Sequence, residues 1–240
     1  MRRSLTASLL LFLAAASLAD SPRIAIIIDD LGYHLANGKR AIELPGTVSF
    51  SFLPGSPRAR YLADRAHAAG REVLLHLPLQ AYSTNGDSEP SEINLDMSQV
   101  SVELAFSEAL AAVPHVVGIN SHRGSLLTRH PGHMTWLMQE IAKREALFFI
   151  DSYTTHHSIA LQIAEESGVE ATRRDVFLDP DRSPETVARE FERMKALARA
   201  RGHVVAIGHP YPATLELLER ELPKLLDEGF ELVNASEMVR

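Results

Sequence analysis

Residues 24–28 read Ile-Ala-Ile-Ile-Ile, a run with no amphipathic period. A strand that is apolar on both sides must be covered on both faces, as in a parallel sheet sheathed by helices. The run leads straight into Asp29-Asp30-Leu31-Gly32. In α/β folds the C-terminal ends of strands are where ligands bind, and paired carboxylates there are costly unless something positive holds them. The plain alternative is an exposed turn in which one Asp caps the next helix. The sharper one is a metal ligand beside a general base.

Strand-like runs alternate with helical periodicity along the rest of the chain. Strands are expected at 47–53, 72–79, 115–120, 146–151, 169–172, 203–210 and 230–233. Helices are expected at 33–44, 57–69, 100–113, 131–144, 157–167, 183–200 and 212–228, with Ser183 as an N-cap. Residues 80–98 form a long polar loop, of the kind that often contributes to a binding site. Repeated βα units imply right-handed parallel crossovers. Seven or eight of them suggest a regular or distorted (β/α) barrel, with an open doubly wound sheet as the alternative.

The first nineteen residues have the layout of an export signal. Arg2 and Arg3 precede an apolar Leu/Ala-rich run from Leu5 to Leu18, and Ser17-Leu18-Ala19 fits a small-x-small cleavage site before Asp20. The run is short for a membrane anchor, so cleavage is expected, leaving residues 20–240 as one α/β domain without stable membrane insertion. Cleavage takes away two arginines and no acid, so 22 basic residues face 31 acidic ones, a net charge of −9. That balance argues against nucleic acid or anionic lipid as the main partner. Cysteine is absent, which excludes disulfides and thiolate zinc sites, so any metal must be held by His and Asp. The periplasm is the natural location.

Polar residues recur where the apolar runs stop: Asp29 and Asp30, His76, Asn120 and His122, Asp151, and His209. In a parallel barrel those ends share one face, so residues remote in sequence converge there. Two His nitrogens and one Asp oxygen suit zinc or another divalent ion with positions left for water and substrate. A second carboxylate could take a proton from that water, and a His opposite could protonate a leaving group. Asp151 could orient a site residue or cap the next helix. Arg123 could meet a substrate carboxylate or solvate the rim, and Arg174 could line the mouth or serve a surface ion pair.

Together, Ile26–Gly32, Leu75-His76-Leu77-Pro78-Leu79, Gly118–Ser125, Phe149–Ser152 and Ala206–Pro210 resemble the divergent polysaccharide deacetylase family, a branch of the NodB-like carbohydrate esterases. The resemblance implies a distorted (β/α) barrel, a divalent metal, most commonly zinc, and removal of acetyl groups from an N-acetylated glycan. It implies Asp29 as the catalytic base, Asp30 as the metal-binding Asp and His209 as the late catalytic His. NodB-like enzymes usually carry a His-Ser/Thr-x-x-His run after an early strand. None exists here, and His76 and His122 take its place from two strand ends. Asn120, Asp151, Arg123 and Arg174 are the candidate substrate contacts. The departure in the histidines supports a second expectation, a catalytically weak or inactive periplasmic module that binds glycan or an envelope protein on the same barrel.

Overall fold

The computed structural model describes residues 21–82, 89 and 91–240. The expected export segment and most of the tip of the 80–98 loop lie outside the described residues. The chain alternates β1 (Arg23–Leu31), α1 (Leu35–Ile42), β2 (Ser49–Phe52), α2 (Ala59–Ala68), β3 (Glu72–Leu79), α3 (Gln99–Ala112), β4 (Gly118–Arg123), α4 (Pro131–Ala142), β5 (Phe148–Asp151) and α5 (Ala160–Glu166). It continues through β6 (Ala171–Arg173), β7 (Val176–Phe177), α6 (Pro184–Arg201), β8 (His203–Gly208), α7 (Pro212–Leu225) and β9 (Glu231–Val233). Ser183 caps α6 by accepting from Thr186 N, and Gly202 ends that helix in the left-handed region. Among the described residues no helix is long and apolar enough to cross a membrane.

All strand pairs are parallel, in the order β6-β5-β4-β3-β2-β1-β8-β7. The two ends of that path are consecutive pieces of one segment. Arg174 N still donates to Asp151 O of β5, whereas Asp175 N donates to Val205 O of β8. Residues 171–177 therefore bridge β5 to β8 and curl the sheet into a distorted (β/α) barrel, not an open doubly wound sheet. The sequence suggests one short strand here followed by a loop. Arg173-Arg174-Asp175 is too polar to read as strand, yet its backbone spans the seam. β9 fills the bottom of a second seam, pairing with Arg23–Ala25 while β2 pairs with Ile27–Leu31.

Alternation along the strands divides the core in two. Ile24, Ile26 and Ile28 of β1, Leu75 and Leu77 of β3, Phe149 of β5 and Val204 and Ala206 of β8 pack outward against the helices. Ala25, Ile27, Leu74, Ile150, Val205 and Ile207 pack inward and fill the barrel. The inward parity, continued upward, leads to Asp29, His76 and His209. The site is thus the polar top layer of the barrel's own interior.

β1 ends in a tight turn. Gly32 sits at φ +127°, and a Cβ there would lie 1.7 Å from Ser56 Oγ, which itself donates to Leu53 O at 2.7 Å. Gly32→Ala is expected to cost at least about 2 kcal/mol through strain and overlap, lowering Tm by about 4–8 °C. A thermal melt within about 1 °C of wild type would contradict it.

Candidate metal and acid–base site

Five strands deliver the site. Asp29 ends the inward-facing series of β1. Adjacent residues of a regular strand point to opposite faces, so Asp30 would ordinarily turn away. It does not, because the ladder between β1 and β2 slips between Ile28 and Leu31 and Asp30 adopts φ +56°. That conformation costs a non-glycine residue about 1–3 kcal/mol, and Asp tolerates it better than most. The strain returns the Asp30 carboxylate to the mouth: His76 Nε2 is 3.5 Å from Asp29 Oδ2 and 3.2 Å from Asp30 Oδ1.

Asp30 Oδ1, His76 Nε2 and His122 Nδ1 form a small triangle. The oxygen is 3.2 Å from His76 Nε2 and 3.1 Å from His122 Nδ1, and the two nitrogens are 3.0 Å apart. Ligands about 2.0–2.1 Å from a tetrahedral zinc stand about 3.3–3.4 Å from one another, close to these edges. Asp30 Oδ1 is buried and makes no hydrogen bond of acceptable geometry. A carboxylate oxygen left without a partner beside two imidazole nitrogens fits a divalent cation. This is also the group of described residues whose ligand atoms can share an ion.

The flanking hydrogen bonds present the free lone pairs inward. His76 Nδ1 lies 2.9 Å from Asn120 Oδ1, which also accepts from Ser51 Oγ, and Asn120 Nδ2 donates to both Asp29 oxygens at 2.8 and 3.0 Å. His76 therefore donates from Nδ1 and aims Nε2 at the triangle. His122 Nε2 lies 3.0 Å from Glu89 Oε2, and the other Glu89 oxygen holds Arg123 Nη2 at 2.7 Å. Bonds of this kind fix the tautomer of a metal-bound imidazole.

Opposite stands His209. Its Nδ1 is 2.8 Å from Asp179 Oδ1, while Asp179 Oδ2 accepts from His209 N and Thr214 Oγ1. Its Nε2 faces Asp30 Oδ2 at 3.6 Å. Burial lowers the pKa of this imidazole, but Asp179 outweighs it and the net shift is upward. Burial raises the pKa of Asp29 against the opposing pull of His76 and His209. Burial would also raise Asp30, yet its contacts with His122 and His76 hold the carboxyl well below the usual range. A cavity of about 320 Å³ opens in front of Asp29, His76 and His209, with Arg174 and Phe177 on its wall. An outer groove of about 500 Å³ starts from Asp30 and His122.

Comparison with known proteins decides the family. A sequence model of the divergent polysaccharide deacetylase family matches residues 26–239. The chain belongs to that family. It is 37% identical over 227 residues to the uncharacterized protein YibQ of Escherichia coli K12, covering 95% of this chain and 70% of YibQ. The fold matches that of the uncharacterized protein ATU2773 from Agrobacterium tumefaciens C58 with a TM-score of 0.88 at 21% identity, over 93% of this chain and 91% of the other. More distant folds include the peptidoglycan deacetylase PdaC of Bacillus subtilis, with a TM-score of 0.53 at 14% identity over 91% and 90% of the two chains. BA3943 of Bacillus anthracis, a CE4 family pseudoenzyme, gives 0.54 at 13% identity over 90% and 65%.

In this deacetylase-family chain the expected site residues separate into four groups. Asp29, Asp30, His76, His122 and His209 converge. Asn120 is fully buried and spent on Asp29, Ser51 and His76, so it positions those groups and has no face for substrate. Arg123 and Arg174 both reach the cavity, Arg174 with its guanidinium donating to Ser152 O and Tyr153 O. Asp151 is a correction. It shares the outward parity of Phe149, accepts from Tyr153 N and Ser158 Oγ, and shapes the loop before α5 instead of touching the cavity.

Asp179 and Glu89 are site-building residues that the strand-end pattern misses. Asp179 follows the apolar Val176-Phe177-Leu178, so the same signal exists there in miniature. Glu89 comes from the long loop and carries no sequence signal.

The proton on His76 gives a measurable consequence. Burial pushes His76 down, but Asp29 and Asp30 outweigh it and raise the pKa to about 9. A folded-state pKa above the unfolded value gives stability that is full below the unfolded value of 6.5 and is lost as pH rises through about 9. Metal-free protein is expected to lose Tm over that window, and equimolar zinc, which replaces the proton, to flatten the curve. A flat Tm profile without metal would contradict the imidazolium.

Proposed function

We propose that this protein is an exported, metal-dependent hydrolase that removes acetyl groups from an N-acetylated polysaccharide or cell-wall glycan. The observation that carries the reading is the orphaned Asp30 Oδ1 facing His76 Nε2 and His122 Nδ1, flanked by the buried Asp29 carboxylate and the His209 imidazole. Asp30, His76 and His122 would hold the ion, and their nitrogen and oxygen donors favour zinc. When bound there, a divalent ion supplies a Lewis acid that polarises an acyl oxygen and acidifies water.

The protein's own groups supply the proton traffic. Asp29 is held by Asn120 through both oxygens, points into the cavity and has a raised proton affinity, which suits it to accept a proton from water. Asp179 accepts from His209 Nδ1–H, so the proton that the ring gains on becoming an imidazolium sits on Nε2, from where it is given to the departing amine nitrogen. Arg174, without a carboxylate partner among the described residues, offers positive charge in the same cavity.

Export rests on the basic and apolar N-terminal nineteen residues and the Ser17-Leu18-Ala19 site. The test is to purify the untagged protein from the periplasm, sequence its N-terminus and measure its metal. Acetate release is then followed from N-acetylglucosamine oligomers and acetylated cell-wall glycan. The expected result is a chain starting at Asp20, about one equivalent of zinc and metal-dependent acetate release. No acetate from any substrate, with glycan binding that survives chelation, would identify the non-catalytic module instead.

A further inference from the structure

The outer groove carries a second, independently built feature. Its rim holds a three-layer stack: the Arg182 guanidinium lies 4.2 Å from the Tyr211 ring centroid, and Tyr211 stacks on His209 at 5.3 Å with an interplanar angle of 20°. Arg182 Nη2 also donates to Tyr211 Oη at 3.4 Å. The opposite wall is tied on by Asn37 Nδ2, which donates to Pro210 O at 3.0 Å. The groove therefore has fixed walls, with Tyr33 exposed at its edge.

Among the described residues the charge on this rim is uncompensated. Arg182 has no carboxylate within ion-pair distance among the described residues, in a chain where many arginines are paired. The neighbouring Asp181 is turned away and accepts from Ser183 and Thr186 at the start of α6. Of the groove's other described acids, Glu89 is engaged by His122 and Arg123, and Asp30 turns its carboxylate toward His76 and His122. Stacking on an aromatic face holds a guanidinium in place without neutralising it, and its planar donor fork matches a carboxylate.

We propose that this groove reads a carboxylate carried by the glycan next to the sugar presented to the cradle, with Arg182 as the specificity-determining residue. The preferred ligand is an acidic glycan, such as one alternating N-acetylated sugars with uronic or carboxyalkyl-bearing sugars. This rests on the glycan reading of the adjoining cavity.

The test compares an N-acetylglucosamine–glucuronate hexasaccharide with the same oligomer after reduction of its carboxylates to alcohols. Binding to the full zinc-loaded chain is measured by calorimetry, and acetate release is followed in parallel. The acidic oligomer is expected to bind about tenfold more tightly at low salt, with the advantage shrinking as ionic strength rises. Arg182→Gln is expected to erase the advantage and Arg182→Lys to restore part of it, with Tm unchanged. Equal affinity for the two oligomers, or an advantage that survives Arg182→Gln, overturns the proposal; acetate release from the reduced oligomer would then leave the deacetylase reading standing. Binding of neither oligomer, with no acetate released, overturns both.

Discussion

Asp30→Asn is expected to empty the metal cradle, lowering zinc affinity by at least about a hundredfold, more than is typical for losing an outer-shell partner. An Asn side chain keeps the size of the original and tolerates the positive φ of +56° that the position imposes. What it loses is the negative oxygen that stands 3.1–3.2 Å from both imidazole nitrogens and has no other partner. The fold is expected to persist, since the inward and outward apolar layers do not involve Asp30. Competition against a chelating dye, with elemental analysis after dialysis, reads the effect. Near-stoichiometric zinc in the Asp30→Asn variant would mean that the triangle is not the metal site.

Asp29→Asn separates proton transfer from metal holding. Asp29 stands beside the triangle and its two oxygens are occupied by the Asn120 amide, so its replacement is expected to leave zinc bound. An amide cannot take a proton from water, and kcat for acetate release is expected to fall by about 10²–10⁴, with KM nearly unchanged. The substitution would set an amide N–H against Asn120 Nδ2, but it also removes a buried charge, so the opposing effects are expected to leave Tm within a few degrees of wild type. Wild-type kcat in a zinc-loaded Asp29→Asn protein would remove Asp29 from the chemistry. Lost zinc would make it a ligand instead.

Much of this architecture is legible before any coordinates. Runs such as Ile24–Ile28 and Val204–Ile207 can be buried on both faces, and their alternation with amphipathic helices implies a parallel sheet. Polar residues placed just after those runs locate the mouth, because one end of every parallel strand faces the same way. The same logic cannot assign inward or outward parity: a strand apolar on both faces gives no signal of which face is which. Asp151 illustrates the failure, ending β5 like the others but on the helix side, where Ser158 and Tyr153 absorb it.

The sequence alone determined a parallel α/β fold, the end at which chemistry is possible and the donor types available, since cysteine is absent and His and Asp cluster after strands. Only the tertiary structure decided that Asp29 and Asp30 face the same point, because that depends on a slipped ladder and one left-handed residue. It also chose Asp179 as the partner of His209 and Glu89 as the partner of His122. Those pairings join residues far apart in the chain or on a long loop, where neither periodicity nor spacing constrains which side chain will arrive.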